Sequence, residues 1–133
     1  MSDTYLICGA GGFIGGHLVK NLLQEGNNVV AVDNKPFEYW FQYFDESKNY
    51  SLDIKEYENC IKVSEGIDYI YNMACNMGGM GFIENNKAEC MLSVLINTNL
   101  LRACLKFFRV LLELRDRSSE FAIQQNPFLD IQR

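Results

Sequence analysis

The sequence predicts an α/β protein: a doubly wound parallel sheet of about four strands in the order 3-2-1-4. Three observations carry this. A glycine-rich turn, Cys8 to Gly16 (CGAGGFIGG), separates an apolar run from an amphipathic one. Two further apolar runs each end at an acidic residue, Val29 to Val32 before Asp33 and Tyr50 to Leu52 before Asp53. A second glycine cluster, Cys75 to Phe82 (CNMGGMGF), follows a fourth apolar run. Strands alternating with helical patterns give parallel pairing through crossover helices. Right-handed crossovers then give the order 3-2-1-4.

Tyr5, Leu6, Ile7 and Cys8 make the first strand. Gly9, Gly12 and Gly15 follow at three-residue spacing, with Gly11 and Gly16 beside them. Phe13, Ile14, Leu18, Val19, Leu22 and Leu23 then predict a helix with one apolar face, ended by Gly26. A glycine turn between strand and helix lets a pyrophosphate lie against bare backbone N–H groups at the positive end of the helix dipole. Val29 to Val32 make the second strand. Asp33 lies 18 residues past Gly15, a spacing that suits a carboxylate accepting the ribose hydroxyls of an adenine dinucleotide. A carboxylate there repels a 2′-phosphate, and Lys35 softens that preference slightly.

Asn34 to Lys48 carries Phe37, Tyr39, Trp40, Phe41, Tyr43 and Phe44. It reads as a loop or short helix covering the sheet edge, its aromatics serving packing. Tyr50 to Leu52 make the third strand, ending at Asp53. Lys55 to Ser64 read as a helix with Tyr57 and Ile61 on its buried face, and Cys60 and Val63 less cleanly so; Gly66 closes it. Asp68 to Ala74 (DYIYNMA) make a fourth strand, apolar enough to be covered on both faces. This order brings the Gly9 turn, Asp33, Asp53 and Met73 to Cys75 to one edge, where an open α/β sheet binds its ligand.

The glycines of the Cys75 to Phe82 loop fit a close approach of backbone to a ligand. A long helix starts at about Asn86. Met91, Val94, Leu95, Leu101, Cys104 and Leu105 form one apolar face; Leu92, Ile96, Leu100 and Ala103 form another. Two apolar faces predict packing on the sheet and on something else. Asn97 and Asn99 interrupt them, and one of the two can bond backbone in the core. The helix is expected to continue to about Arg117, with a strand over Arg109 to Leu114 as the alternative. Ser118 or Ser119 can cap a short helix over Phe121 to Gln125, ended by Pro127.

The 133 residues suit one domain; 48% are hydrophobic and 22% charged, with a net charge of −5. The cations are scattered, which disfavours nucleic acid. Cys8, Cys60, Cys75, Cys90 and Cys104 show no C-x-x-C spacing and each has apolar neighbours. They read as reduced, buried thiols of a cytoplasmic protein. No leader is expected, and no membrane span. No metal-ligand pattern is present. His17, the only histidine, reads as an exposed helix residue.

The CGAGGFIGG turn with Asp33 and Asp53 resembles the extended short-chain dehydrogenase/reductase superfamily of NAD-dependent epimerases and dehydratases, with its Rossmann-like fold. The stretch Asn72 to Asn86 (NMACNMGGMGFIENN) is similar to the distinctive loop of the GDP-mannose 3,5-epimerase family. The resemblance runs from about Thr4 to Lys106. It implies an NAD-binding domain over residues 1–106, followed by a divergent tail over 107–133. It implies that Gly9, Gly12, Phe13, Ile14 and Gly15 hold the NAD pyrophosphate, and that Asp33 holds the adenosine ribose. By the same resemblance Asp53 and Ile54 lie near the adenine, Met73 and Ala74 run beside the cofactor, and Gly78 and Gly79 touch the hexose of a nucleotide sugar such as GDP-mannose.

The family's reaction needs a Tyr-x-x-x-Lys pair whose tyrosine acts as base. None of Tyr5, Tyr39, Tyr43, Tyr50, Tyr57, Tyr69 and Tyr71 has a lysine four positions on. No catalytic residue is therefore assigned, and these residues are expected to bind NAD without turnover of their own. A regulatory module, or one completed by a partner chain, is the alternative. A four-strand sheet with an open apolar edge at its fourth strand predicts self-association or pairing with a homologous chain.

Overall fold

The computed structural model describes residues 2–75 and 80–115, with side chains to residue 107. Four strands, β1 (Thr4–Cys8), β2 (Asn28–Asp33), β3 (Lys48–Ser51) and β4 (Tyr69–Asn72), form one parallel sheet in the order β3-β2-β1-β4. Four helices accompany them: α1 (Phe13–Gln24), α2 (Tyr57–Ser64), α3 (Met80–Asn85) and α4 (Lys87–Arg115). This is the Rossmann-like arrangement that the sequence predicts. After β3 the chain crosses back over the sheet to place β4 on the far side of β1, and the carboxyl ends of β1 and β4 meet at that reversal.

Alternation along β1 and β2 builds a core on each face. Leu6, Cys8, Val30 and Val32 point to one side, where they meet Ile54, Cys60 and Val63 with Leu100 and Ala103 of α4. Ile7, Val29 and Ala31 point to the other, where Val19 and Leu22 of α1 cover them. Successive side chains of a strand face opposite ways, so a strand covered on both faces is apolar at every position.

Several boundaries and faces differ from the sequence reading. β3 starts two residues early, and Asp53 follows it by two. β4 is shorter than Asp68 to Ala74 and is not covered on both faces: Tyr69 and Tyr71 are exposed and stack with Tyr5. Nothing among the described residues lies over that side. On α1, Phe13 and Ile14 leave the buried face and are 63% and 69% exposed. On α2 the order inverts: Cys60 and Val63 are fully buried while Tyr57 and Ile61 pack at the margin.

The aromatic segment runs between β2 and β3, and its Phe44 packs against the core cluster of Ile7, Val29 and Ala31. It forms one 3₁₀ turn at Phe37–Tyr39 and folds onto the glycine turn, where the Phe41 N–H donates to the Gly11 carbonyl at 3.0 Å. Trp40 is buried there; Phe37, Phe41 and Tyr43 meet neighbouring rings yet stay exposed, and Tyr39 is exposed. His17 is exposed, as expected, and its ring meets Phe13 edge-on. None of the five cysteines is in a disulfide, and not all are buried: Cys8 and Cys60 are, Cys90 and Cys104 are partly so, and Cys75 is exposed.

The long helix is continuous from Lys87 to Arg115, which removes the alternative strand over Arg109 to Leu114. The segment from Ser118 to Pro127 lies outside the described residues. Leu100 and Ala103 of the second apolar face are buried, and Ile96 packs beside them. Met91, Val94, Leu95, Leu101 and Leu105 of the first face are exposed. Asn99 is the core asparagine: its side-chain amide donates to the Lys55 carbonyl at 2.8 Å and ties α4 to the start of α2. Contrary to the sequence reading, residues Lys87–Phe107 are long and apolar enough to cross a membrane by length and composition, with a mean hydropathy of 1.2. The two-faced pattern accounts for this composition, because one of the two apolar faces lies on the sheet and α2.

Candidate functional site

The site begins where β1 runs out. Gly9 turns the chain with φ +79°, a left-handed value that favours glycine. A Cβ there would stand 2.8 Å from the Met73 carbonyl and 2.9 Å from the Ala74 nitrogen, both backbone. The Gly9 and Ala10 N–H groups donate to the Val32 carbonyl at 2.9 and 3.1 Å, so the turn is tied to the end of β2. Gly15 lies beneath it, and a Cβ at that position would overlap the Gly9 carbonyl oxygen. Helix and turn therefore touch backbone to backbone.

Gly12 caps α1 with extended backbone, no side chain caps the helix, and its first turn holds no acidic residue. The early N–H groups of a helix have no intrahelical partner, and with the helix dipole they attract an anion. Nothing on α1 competes for that place.

Asp33 ends β2 and is nearly buried. One carboxylate oxygen accepts the Gly11 N–H at 3.0 Å, the other the Lys35 N–H at 3.1 Å. The Lys35 ammonium donates to the Gly11 carbonyl at 3.3 Å. Trp40 closes this corner: its indole N–H donates to the Lys35 carbonyl at 2.9 Å, and its ring lies where a Cβ on Gly11 would go. Asp53 shapes the next corner, accepting the Lys55 N–H at 2.9 Å and pairing with the Lys55 ammonium at 3.5 Å, at the surface. Ile54 is buried, and its carbonyl accepts from the Cys60 thiol.

These corners enclose a cleft of about 400 Å³, within the usual range for small-molecule sites. Gly9, Gly12, Asp33, Asp53, Ile54, Met73 and Ala74 line it, as do Asn34, Lys35, Lys55 and Cys75. Glu89, Leu92, Ser93 and Ile96 of α4 form the opposite wall. The structure thus brings together seven of the residues named from sequence. Gly15 supports the turn from below. Phe13 and Ile14 do not line the cleft, so their contribution to an anion there comes from the backbone of the first helical turn. Gly78 and Gly79 lie outside the described residues.

Trp40, Asn34, Lys55 and the α4 wall carried no sequence signal strong enough to place them. The wall was partly legible: Leu92 and Ile96 share a helix face, and adding Glu89 and Ser93 completes an i, i+3, i+4, i+7 stripe.

The core thiols take no part. Burial pushes Cys8 up to about 12, with Cys60 and then Cys104 adding to it. Burial likewise pushes Cys60 up to about 11. Both stay protonated at neutral pH and are poor nucleophiles.

The NAD dependent epimerase/dehydratase family matches residues 5–114. GDP-mannose 3,5-epimerase of Arabidopsis thaliana is 40% identical over 98 residues, which is 73% of this chain and 26% of the relative. The rice (Oryza sativa subsp. japonica) GDP-mannose 3,5-epimerase 1 is 39% identical over the same shares. The chain thus spans about a quarter of the length of these curated relatives. Among solved structures, MoeE5 in complex with UDP-glucuronic acid and NAD superposes with a TM-score of 0.67 at 29% identity, covering 79% of this chain and 33% of MoeE5. The UDP-glucose 4-epimerase of Thermus thermophilus in complex with NAD gives 0.68 at 22%, covering 78% and 34%, a likeness of fold. The glycine turn, the carboxylate at the end of β2 and the sheet order agree with the match across the described core: the chain belongs to the NAD dependent epimerase/dehydratase family.

Proposed function

We propose that these residues are the NAD-holding part of a nucleotide-sugar epimerase of the GDP-mannose 3,5-epimerase type, and that they bind NAD without turning over a sugar. The observation that carries the reading is the convergence, in one cleft, of the Gly9 turn, the uncapped start of α1 and the Asp33 carboxylate. Gly9 and Gly15 leave no space for a Cβ because the chain after β4 and the start of α1 pack against the turn, which holds the uncapped helix start at the cleft. A dinucleotide pyrophosphate suits that place.

In this reading the first-turn N–H groups of α1 hold the pyrophosphate, Gly12 lines its seat with its own N–H tied to the Gly9 carbonyl, and Asp33 accepts from the adenosine ribose. Asp53 and Ile54 bound the adenine, and Met73 and Ala74 flank the cofactor. NAD supplies hydride chemistry when bound. No Tyr-x-x-x-Lys pair stands in the 133 residues, so the base must come from elsewhere. The sugar nucleotide is named by the similarity to GDP-mannose 3,5-epimerases and by the Gly78 and Gly79 loop. Five cysteines with no disulfide among them support a reducing, cytoplasmic setting. The exposed face of α4 and the open side of β4 support association with a second copy or a homologous chain.

The test is calorimetric titration of the chain with NAD, then of Asp33→Ala. We expect saturable one-to-one binding, weakened about tenfold or more by the substitution, because a charged hydrogen-bond acceptor is worth roughly 1.5–3 kcal/mol. No change in GDP-mannose is expected with NAD present. Absence of NAD binding by the unaltered chain would overturn the reading.

A further inference from the structure

We propose that Lys35 sets the cofactor selectivity of this cleft, so that it accepts a 2′-phosphorylated adenine dinucleotide nearly as well as one with a free 2′-hydroxyl. The inference rests on the reading of the cleft as a dinucleotide site. The residue that ordinarily excludes a 2′-phosphate is the carboxylate at the end of the second strand. Here that carboxylate, Asp33, is already engaged on both oxygens by backbone N–H groups, from Gly11 and from Lys35 itself. Two N–H dipoles aimed at a carboxylate offset part of its outward field.

Lys35 adds a full positive charge at the same corner. Its ammonium is held in the cleft by the Gly11 carbonyl at 3.3 Å. Among the described residues no carboxylate oxygen lies within ion-pairing distance of it; the ion pair there is Lys55 with Asp53. Its carbonyl is fixed by the Trp40 indole, so backbone on both sides of the side chain is pinned. An ammonium without a carboxylate partner, on a pinned backbone and next to a carboxylate that is itself satisfied, is placed to receive the added phosphate. Lys55, the other cation of the cleft, is partnered by Asp53 and cannot substitute without breaking that pair.

The test measures NAD and NADP affinities side by side on the full chain, by titration calorimetry and by quenching of Trp40, the single tryptophan. The variants are Lys35→Met and Lys35→Arg. For the unaltered chain we expect the two dissociation constants to agree within about tenfold. Lys35→Met should raise the ratio of the NADP to the NAD dissociation constant by roughly tenfold, and Lys35→Arg should keep the ratio of the unaltered chain. Raising salt should weaken NADP more than NAD in the unaltered chain and equally in Lys35→Met. An unchanged NADP-to-NAD ratio in Lys35→Met, or an unaltered chain that binds NAD while NADP is weaker by about a hundredfold or more, overturns the proposal and leaves the NAD site standing. Failure of the unaltered chain to bind either dinucleotide overturns the site itself.

Discussion

β2 and β4 flank the same central strand, yet the molecule treats them differently. From Val29 to Asp33 every residue of β2 is buried, and its carbonyls reach the glycine turn and the segment after β3. In β4, Ile70 is the residue that meets the core, while Tyr69 and Tyr71 are about half exposed and stack with Tyr5 in the open. Both sequences are apolar, so propensity does not separate them. The difference is cover: α1 lies over β1 and β2, and none of the described residues lies over the tyrosine side of β4. The same division runs along α4, where Leu100 is buried and Leu101 is 57% exposed. The cleft opens where the glycine turn, the ends of β2 and β4 and the wall of α4 meet.

Substitution at two of the left-handed glycines should give the largest contrast. Gly9→Val should cost about 4 kcal/mol or more, because a positive φ and backbone neighbours at 2.8 Å both oppose it. Gly26 has nearly the same φ, +82°, with nothing within 4 Å. Gly26→Ala should cost only about 1 kcal/mol and leave NAD binding intact. Denaturant melts of both variants check this; equal losses would mean that the turn is not packed against β4.

A smaller contrast tests the two sides of α4. Leu100→Ala should destabilise by about 3 kcal/mol through a core cavity, and Leu101→Ala by less than about 0.5. A large loss at Leu101 would show that its face is covered in solution. Light scattering on the Leu101→Glu variant would then report whether a second copy provides the cover, through a fall in apparent mass.

The smallest effect is alkaline. Cys8 is pushed up to about 12 from an ordinary 9.0. A raised folded-state value favours the folded chain below the unfolded value, so this contribution is full below pH 9 and is lost as pH rises toward 12. Chemical-denaturation midpoints in Cys8→Ala should therefore fall less steeply with pH over that window than in the unaltered chain. Parallel slopes would remove Cys8 from the account.

Much of the covered side was legible in the sequence. Gly9, Asp33 and Asp53 have spacings set by backbone steps and strand lengths, which local periodicity reports. Trp40 was not, because nothing local says that its ring folds back over Gly11. Phe13 and Ile14 were read as core because hydrophobic spacing cannot tell the buried side of a helix from its mouth. The inversion on α2 has the same origin: Tyr57, Cys60, Ile61 and Val63 all fit one helical stripe, and only the position of Leu100 and Ala103 decides that Cys60 and Val63 go deepest.

By itself, then, the sequence determined the strand–turn–helix order, the parallel sheet and the Gly9 turn with an acidic residue after β2, since each depends on residues close in the chain. Tertiary structure alone decided which apolar face of α4 is buried, that Asn99 ties it to Lys55, and that the Lys35 ammonium rests on the Gly11 carbonyl, outside ion-pairing distance of any described carboxylate. Those outcomes depend on which distant backbone arrives to cover a side chain or bond with it, and local pattern carries no record of that arrival.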